Sequence, residues 1–347
     1  MKGVLDLELT RRCNLRCDYC FVGWSRDWHS DMPLDVALAI VGEGAASFPA
    51  LHITGGEPFA YRGLSDVLDA AERAGYEEIL INTNGTMLTR DVAEGIAARG
   101  RRVSISVSLD GPAPIHDAAR GPGRFEEASE GLKRALACGV RASVMTVVTP
   151  EVLGELVPFL DRLFADHPAL AGVTLFPVGV GPEGSQKPGA SLRSLNADEL
   201  RELAFTVALL FRAGRALGVG AYPIVNPLLL AFGYPASMLY QCGAGRGRAC
   251  VHADLTVSTC HPVKEPVYGS YRPGLLAAIG AAAVHRRMAE RDYEGCGSCE
   301  HKEACGHCRA YVTAAGEPFF GNDGACRDLV PFSAGARPIK RVSLPVI

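Results

Sequence analysis

The chain has no run of lysine and arginine long enough to follow a phosphate backbone. Arg101-Arg102 and Arg286-Arg287 are small basic spots in a protein whose formal net charge is −3, so nucleic acid is not an expected partner. Long apolar runs are also missing. The longest, such as Ile224 to Phe232 and Leu275 to Val284, are interrupted by Pro, Asn or Gly and fall short of the roughly 20 residues a bilayer span requires, so no membrane insertion is expected. The first ten residues, Met1 to Thr10, lack the apolar core and small-residue cleavage site of a secretory signal. They alternate like a strand, and the expected location is cytoplasmic.

What the sequence does have is cysteine. Twelve cysteines without an export signal argue against a disulfide framework, because a reducing cytosol keeps thiols free to bind metals. Three fall between Cys13 and Cys20, eight between Cys242 and Cys326, and Cys138 stands alone in an apolar helical stretch, where it reads as a small core residue. At 347 residues the chain is long enough for one large domain and a smaller one, with an active site expected at their junction.

Through the first two-thirds, short apolar runs alternate with amphipathic stretches of helical period, the pattern of βα units around a parallel sheet. Strands are expected near Leu5 to Leu9, Ala50 to Thr54, Glu78 to Asn82, Val103 to Leu109, Ala142 to Thr149 and Gly172 to Phe176. Helices are expected over Pro33 to Ser47, Leu64 to Arg73, Arg90 to Ala98, Phe125 to Ala137 and Pro150 to Phe164. The fold class is therefore α/β, a partial (β/α)6 barrel. From Val178 to Leu195 the sequence is rich in Gly, Pro and Ser, either a cover over substrate or a solvated connector. Asn196 or Asp198 then caps a helix running to about Leu217. Beyond Tyr240 periodicity fades as cysteine and glycine become dense, which describes a metal-organised domain.

Cys13, Cys17 and Cys20 lie on a loop directly after the first expected strand. A four-iron cluster normally takes four cysteines. Three leave one iron with an open position for an exogenous ligand, as catalytic metal sites do, and a small chelating molecule suits that position. Three close cysteines also occur in zinc sites. The second strand ends in His52-Ile53-Thr54-Gly55-Gly56-Glu57-Pro58, a glycine pair that lets backbone approach a ligand and a carboxylate suited to an ammonium group. The third ends in Asn82-Thr83-Asn84-Gly85-Thr86 and the fourth in Ser106-Val107-Ser108-Leu109-Asp110-Gly111, followed by His116-Asp117 and Arg120-Gly121. All of these are at the sheet edge where barrels bind ligands. For Asn84 and Asp110, capping a turn is an equal alternative.

The spacing Cys-x3-Cys-x2-Cys, with the Gly-Gly-Glu-Pro segment after it, resembles the radical S-adenosylmethionine superfamily. The resemblance implies that the open iron of a [4Fe-4S] cluster on Cys13, Cys17 and Cys20 holds S-adenosylmethionine. Reductive cleavage would then give methionine and a 5′-deoxyadenosyl radical that takes a hydrogen atom from substrate. It also implies that Gly55, Gly56 and Glu57 hold the cofactor's methionine amine. Ser108 would meet its ribose or carboxylate, Arg120 would pair with that carboxylate, Asn84 would join the cofactor site, and Tyr19 would lie beside the adenine. Phe21 reads as simple core. Trp24, Trp28 and His29 either line the substrate side or pack.

The second group, Cys242, Cys250, Cys260, Cys296, Cys299, Cys305, Cys308 and Cys326, supplies enough thiolates for two complete clusters. The two Cys-x2-Cys pairs also suit a tetrahedral zinc site. The pattern resembles the SPASM extension of radical enzymes that mature peptides. By that resemblance Cys242, Cys250, Cys260 and Cys308 bind one auxiliary [4Fe-4S] cluster and Cys296, Cys299, Cys305 and Cys326 another, three clusters in all. Two departures touch Cys250 and Cys308: the last pair has two intervening residues instead of three, and the spacing around Cys250 is loose. Without Cys250 the first auxiliary cluster would have an open iron. The expected division is 1–217 radical barrel, 218–239 linker, 240–330 auxiliary-cluster domain and 331–347 tail.

The resemblance implies an oxidoreductase that modifies a ribosomally made peptide or a protein side chain by crosslinking, epimerisation or oxidation. Its expected electron donor is a flavodoxin or ferredoxin. The first strand begins within a few residues of Met1, so a separate leader-peptide-binding protein, or leader-independent binding, is expected. Sulfatase maturation fits less well, because His261-Pro262-Val263-Lys264 follows Cys260 where an acidic proton acceptor is wanted. Radical decarboxylation or rearrangement of a tetrapyrrole is the other enzymatic reading, and a non-catalytic iron–sulfur electron carrier is the reading of another class. The sequence names no catalytic acid or base.

Overall fold

Alternation within the strands decides which residues face the helices and which face the barrel interior. The computed structural model describes residues 3–20, 22, 29–179, 191–220, 222–244, 247–263, 267–279, 290, 299, 301–305, 308–314 and 320. Seven strands run parallel in sequence order: β1 (Val4–Glu8), β2 (Ala50–Thr54), β3 (Glu78–Thr83), β4 (Val103–Ser108), β5 (Arg141–Val148), β6 (Val173–Pro177) and β7 (Leu217–Val219). Leu5, Leu7, Leu51, Ile53, Ile79, Ile81, Ile105, Val107 and Val144 point outward into one apolar core with the helices. Asp6, Asn82, Ser108, Met145 and Phe176 take the opposite parity and line a cavity inside the curve of the sheet.

The helices that cover the outer face are α1 (Leu34–Gly44), α2 (Leu64–Ala74), α3 (Arg90–Ala97), α4 (Ala113–Arg120), α5 (Arg124–Ala137), α6 (Pro150–Gly154), α7 (Leu156–Asp166) and α8 (Ala197–Arg212). This is the α/β partial barrel that the patterning predicts. Four details differ. The expected helix Pro150 to Phe164 is two helices, broken at Glu155. Helix α4 is not among the expected helices; Pro114 falls in its first turn, where no intrahelical donor is needed. Helix α8 ends at Arg212 instead of Leu217, since Gly214 takes φ +82°. The chain then enters β7, three residues too short to show a period.

A fourth difference bears on function. Strand β8 (Arg248–Val251), from the region expected to be low in regular structure, pairs parallel with β1, with Asp6 opposite Cys250. Strands β9 (Thr256–Ser258) and β10 (Gly269–Ser270) continue antiparallel, giving one sheet ordered β10-β9-β8-β1-β2-β3-β4-β5-β6-β7. The first strand thus lies between the second strand of the barrel and the cysteine-rich region. Among the described residues no helix is long and apolar enough to cross a membrane.

Candidate active site

The loop after β1 carries Cys13, Cys17 and Cys20, and all three line the interior cavity. Local bonds shape this loop. The Leu15 amide donates to Cys13 Sγ at 3.3 Å, the Cys20 amide donates to the Cys17 carbonyl at 3.3 Å, and the Asp18 amide reaches the Ala119 carbonyl at 3.1 Å. Burial pushes the Cys13 thiol up to about 11, with Glu57 and Cys20 adding to the shift. Burial likewise raises Cys17 to about 12 against the opposing charge of Arg120, and Cys20 and Cys13 raise it further. Cys13 and Cys17, whose ionisation burial and neighbouring thiols suppress, suit a cationic iron core, which binds thiolates and releases their protons. Among the described residues no three His, Cys, Asp or Glu side chains form a group that holds a single metal ion. Three thiols on one loop at one cavity wall are a donor set that could hold a multi-iron core.

Gly55 and Gly56 also line the cavity, but their lack of side chain serves backbone packing. A Cβ on Gly55 would sit 2.4 Å from the Thr10 carbonyl oxygen, and one on Gly56 would sit 2.2 Å from that of Arg12. The Gly56 and Glu57 amides donate to those same two carbonyls at 2.7 and 2.8 Å, so the glycine pair seats the strand end against the start of the cysteine loop. Glu57, expected to offer its carboxylate to an ammonium group, has three protein donors in this structure. It is fully buried. Its Oε1 accepts from Thr83 Oγ1 at 2.8 Å and from the Phe59 amide at 3.2 Å, and its Oε2 accepts from the Asn84 amide at 2.8 Å. Burial raises its pKa to about 7 despite these donors.

Asn84 both caps its turn and joins the cysteine loop. Its Oδ1 accepts from the Thr86 amide at 2.9 Å, while its Nδ2 donates to Asn14 Oδ1 at 2.9 Å and faces Cys13 Sγ at 3.8 Å. Asp110 is the larger hub. Its Oδ1 accepts from the Val147 amide at 2.7 Å, and its Oδ2 accepts from Arg120 Nε at 2.5 Å and from the Tyr19 hydroxyl. Its own amide donates to His116 Nδ1 at 3.1 Å, and burial lowers His116 to about 4, which keeps that nitrogen an acceptor. Asp117 caps the next turn, accepting from the Gly123 and Phe125 amides at 2.7 Å each.

Tyr19 and Arg120 therefore reach the cavity wall already engaged with the protein. Arg120 Cζ lies 5.6 Å from the centre of the Tyr19 ring, and Arg120 Nη1 faces Cys17 Sγ at 3.9 Å. Ser108, the last residue of β4, borders the same cavity and is buried.

The second cysteine group is partly described. Burial first, then the neighbouring thiols Cys242 and Cys308, raise the Cys260 thiol far above its ordinary range; burial first, then these same three thiols, also raise the Tyr240 hydroxyl. Cys250 is fully buried in β8 with its Sγ 3.9 Å from His252 Nδ1. Cys305 and Cys308 are buried and Cys299 is half-buried. Cys296, Cys326, Phe21, Trp24, Trp28, residues 180–190 and the expected tail lie outside the described residues. Val178 and Gly179, at the start of the Gly-rich segment, do border the cavity.

Sequence reasoning missed the opposite wall of the cavity. Arg248, His261 and Pro262 line it together with Asp6. Arg248 binds Asp6 through two bonds, Nε to Oδ2 at 2.7 Å and Nη2 to Oδ1 at 2.8 Å. The available signal was Asp6 and Glu8 alternating with leucines in β1: two carboxylates on the inward face of a buried strand must have partners. One cavity is thus walled by the first cysteine loop on one side and by the cysteine-rich region on the other.

Residues 7–163 match the radical SAM superfamily. Over nearly its whole length the chain is also similar to characterised proteins. The mycofactocin maturase MftC of Mycobacterium ulcerans is 28% identical, the match covering 93% of this chain and 87% of that protein. An AdoMet-dependent heme synthase of Methanosarcina barkeri is 28% identical, covering 92% of this chain and 94% of the other. The solved structure of native anSMEcpe with bound AdoMet and Cp18Cys peptide superposes with a TM-score of 0.71 at 16% identity, covering 93% of both chains, and so shares the fold.

Proposed function

Because this chain belongs to the radical SAM superfamily, we propose that it cleaves S-adenosylmethionine reductively and uses the radical to modify a side chain of a ribosomally made peptide or of a protein. When bound, the cluster on Cys13, Cys17 and Cys20 supplies the electron that splits S-adenosylmethionine into methionine and a 5′-deoxyadenosyl radical. The observation that carries the reading is the shared cavity. The cysteine loop, Gly55, Gly56 and Ser108 border it on the cofactor side, and Arg248, His261 and Pro262 bring the C-terminal region to the same space. A substrate held there meets the first cysteine loop and His261, the residue that follows Cys260.

The chain's own residues have definable tasks. Asn84 and Arg120 orient the cysteine loop through Asn14 and Cys17. The apolar wall of Met145, Val147, Phe176 and Val178 excludes water from a reactive centre. Cys242, Cys250, Cys260 and Cys308 hold an auxiliary cluster, and Cys299 and Cys305 belong with Cys296 and Cys326 to another. A fully ligated cluster has no room for substrate at iron, so its role is electron transfer with a flavodoxin or ferredoxin as the external donor, in the cytoplasm.

The maturase and the peptide-bound structure support a peptide substrate. The heme synthase, matched over as much of the chain at the same identity, favours a second reading, radical decarboxylation of a tetrapyrrole. Anaerobically reconstituted protein given dithionite and S-adenosylmethionine should release 5′-deoxyadenosine. Addition of short peptides encoded beside the gene should then give a mass change in one of them. No 5′-deoxyadenosine from iron-loaded protein would overturn the enzymatic reading; turnover of a tetrapyrrole with no peptide changed would decide for the second.

A further inference from the structure

Glu8, at the end of β1, carries a carboxylate that is fully buried and does not border the cavity. Its Oε1 accepts from Arg11 Nε at 3.1 Å and from the Ala253 amide at 3.4 Å. Its Oε2 meets His252 Nδ1 at 3.1 Å and His261 Nε2 at 3.0 Å. Arg11 extends the link, its Nη2 donating to Asp254 at 2.6 Å. His252 Nε2 meets Ser258 Oγ at 2.8 Å, and that hydroxyl donates to the Cys260 carbonyl at 2.9 Å.

Every long-range partner of Glu8 named here lies on one segment, His252 to His261, which forms the β8–β9 hairpin and ends beside Cys260. The strand that carries Glu8 gives way five residues later to Cys13. Packing alone would be served as well by an apolar side chain of similar volume, because desolvating a carboxylate costs several kcal/mol before its bonds offset it. The Glu8 carboxyl group is thus placed against two imidazoles, one of them adjoining a cysteine of the second metal region. Hydrogen bonds to the neighbours of a ligand and nearby charge are the usual means by which a protein orients cluster ligands and sets a cluster's potential.

We infer that Glu8 is a positioning residue for the auxiliary cluster: through His252 and His261 it fixes Cys260 against the strand that launches the first cysteine loop, and so sets the geometry and potential of that cluster. The inference rests on the ligand set Cys242, Cys250, Cys260 and Cys308 proposed above.

Full-length protein, reconstituted anaerobically, should be compared as wild type, Glu8→Gln and Cys260→Ala by iron content, electron paramagnetic resonance and redox titration. Glu8→Gln keeps the shape and removes the negative charge. Its auxiliary cluster should titrate at a higher potential with altered g-values, while the signal of the cluster on Cys13, Cys17 and Cys20 keeps its own. If Cys260→Ala removes the auxiliary signal and Glu8→Gln leaves that signal and its potential as in wild type, the inference is overturned and the ligand set stands. If wild type binds iron for the first cluster alone, or Cys260→Ala leaves the auxiliary signal intact, the ligand set falls and the inference with it. Should Glu8→Gln fail to retain the first cluster, Glu8→Asp shortens the arm with the charge kept. Altered auxiliary g-values support the inference there, and wild-type values overturn it.

Discussion

The guanidinium of Arg120 stands 2.5 Å from Asp110 through Nε and 3.9 Å from Cys17 Sγ through Nη1, so one buried cation serves a carboxylate and faces a sulfur of the first cysteine loop. Both members of the ion pair are buried. Removing one partner leaves the other uncompensated, which costs about 3–5 kcal/mol. Asp110→Ala should lower stability by that amount in denaturant unfolding of the full chain, and a midpoint equal to wild type would reject the pair as a structural tie. Burial raises the Asp110 pKa, but Arg120's charge and hydrogen bond together outweigh it, leaving the pKa below 3.8. A depressed carboxylate contributes stability above its unfolded pKa and loses it as pH falls through the folded value. The difference between wild type and Asp110→Ala should therefore be constant near neutrality and shrink only below about pH 4.

Glu57 has the opposite sign. With its folded pKa raised to about 7 from 4.5, the folded chain binds its proton before the unfolded chain does. This group's contribution to stability therefore weakens as pH rises from about 4.5 through 7. Glu57→Gln, which cannot ionise, escapes that loss. Whatever it costs in acceptor geometry should be smaller by roughly 2–3 kcal/mol at pH 8 than at pH 5. Parallel pH dependence of the two proteins in unfolding experiments would show that Glu57 does not titrate in this range.

Gly56→Ala tests the seating of the second strand on the cysteine loop. The added Cβ would fall 2.2 Å from the Arg12 carbonyl oxygen, and backbone cannot yield as a flexible side chain does. Overpacking of this kind costs about 1–3 kcal/mol or more, and the loop start should move with it. The expected result is loss of stability together with reduced iron at Cys13, Cys17 and Cys20. Gly75→Ala is a control: its φ of +89° makes it strained, but no atom lies within 4 Å of the added Cβ, so it should keep full iron. Equal iron retention by both variants would refute the link.

Asn84→Ala should act on the first metal region through its shape. It removes the amide that holds Asn14 at 2.9 Å and faces Cys13 Sγ at 3.8 Å, with about 1–3 kcal/mol lost from the satisfied network. Slower cluster assembly, followed by the rise of its visible absorption, is the expected outcome. An assembly rate equal to wild type would assign Asn84 to turn capping alone.

Much of this site was written locally. The eight residues from Cys13 to Cys20 place three thiols on one loop whatever the rest of the chain does, and β2, β3 and β4 end in polar segments because their outward residues must be apolar to pack under helices. What could not be read was how these groups are spent. Glu57 and Arg120, expected at the cofactor, also hold protein partners at Thr83, Asn84 and Asp110, since a charge buried by the fold binds the nearest donor or acceptor that the fold supplies. Strand β7 is too short for a period, and β8 carries no signal of its pairing with a strand some 240 residues earlier.

The sequence by itself determined the α/β period, the parity of each strand and the loop of three thiols, because these depend on neighbours within a few positions. Only the tertiary structure decided that β1 is shared between the barrel and the cysteine-rich region, that Glu8 and Asp6 face His252, His261 and Arg248, and that one cavity is lined by the first cysteine loop together with Arg248, His261 and Pro262. Such pairings join residues far apart in the chain. They form because a buried charge must find its counterpart and a strand edge must find its hydrogen bonds wherever folding brings them.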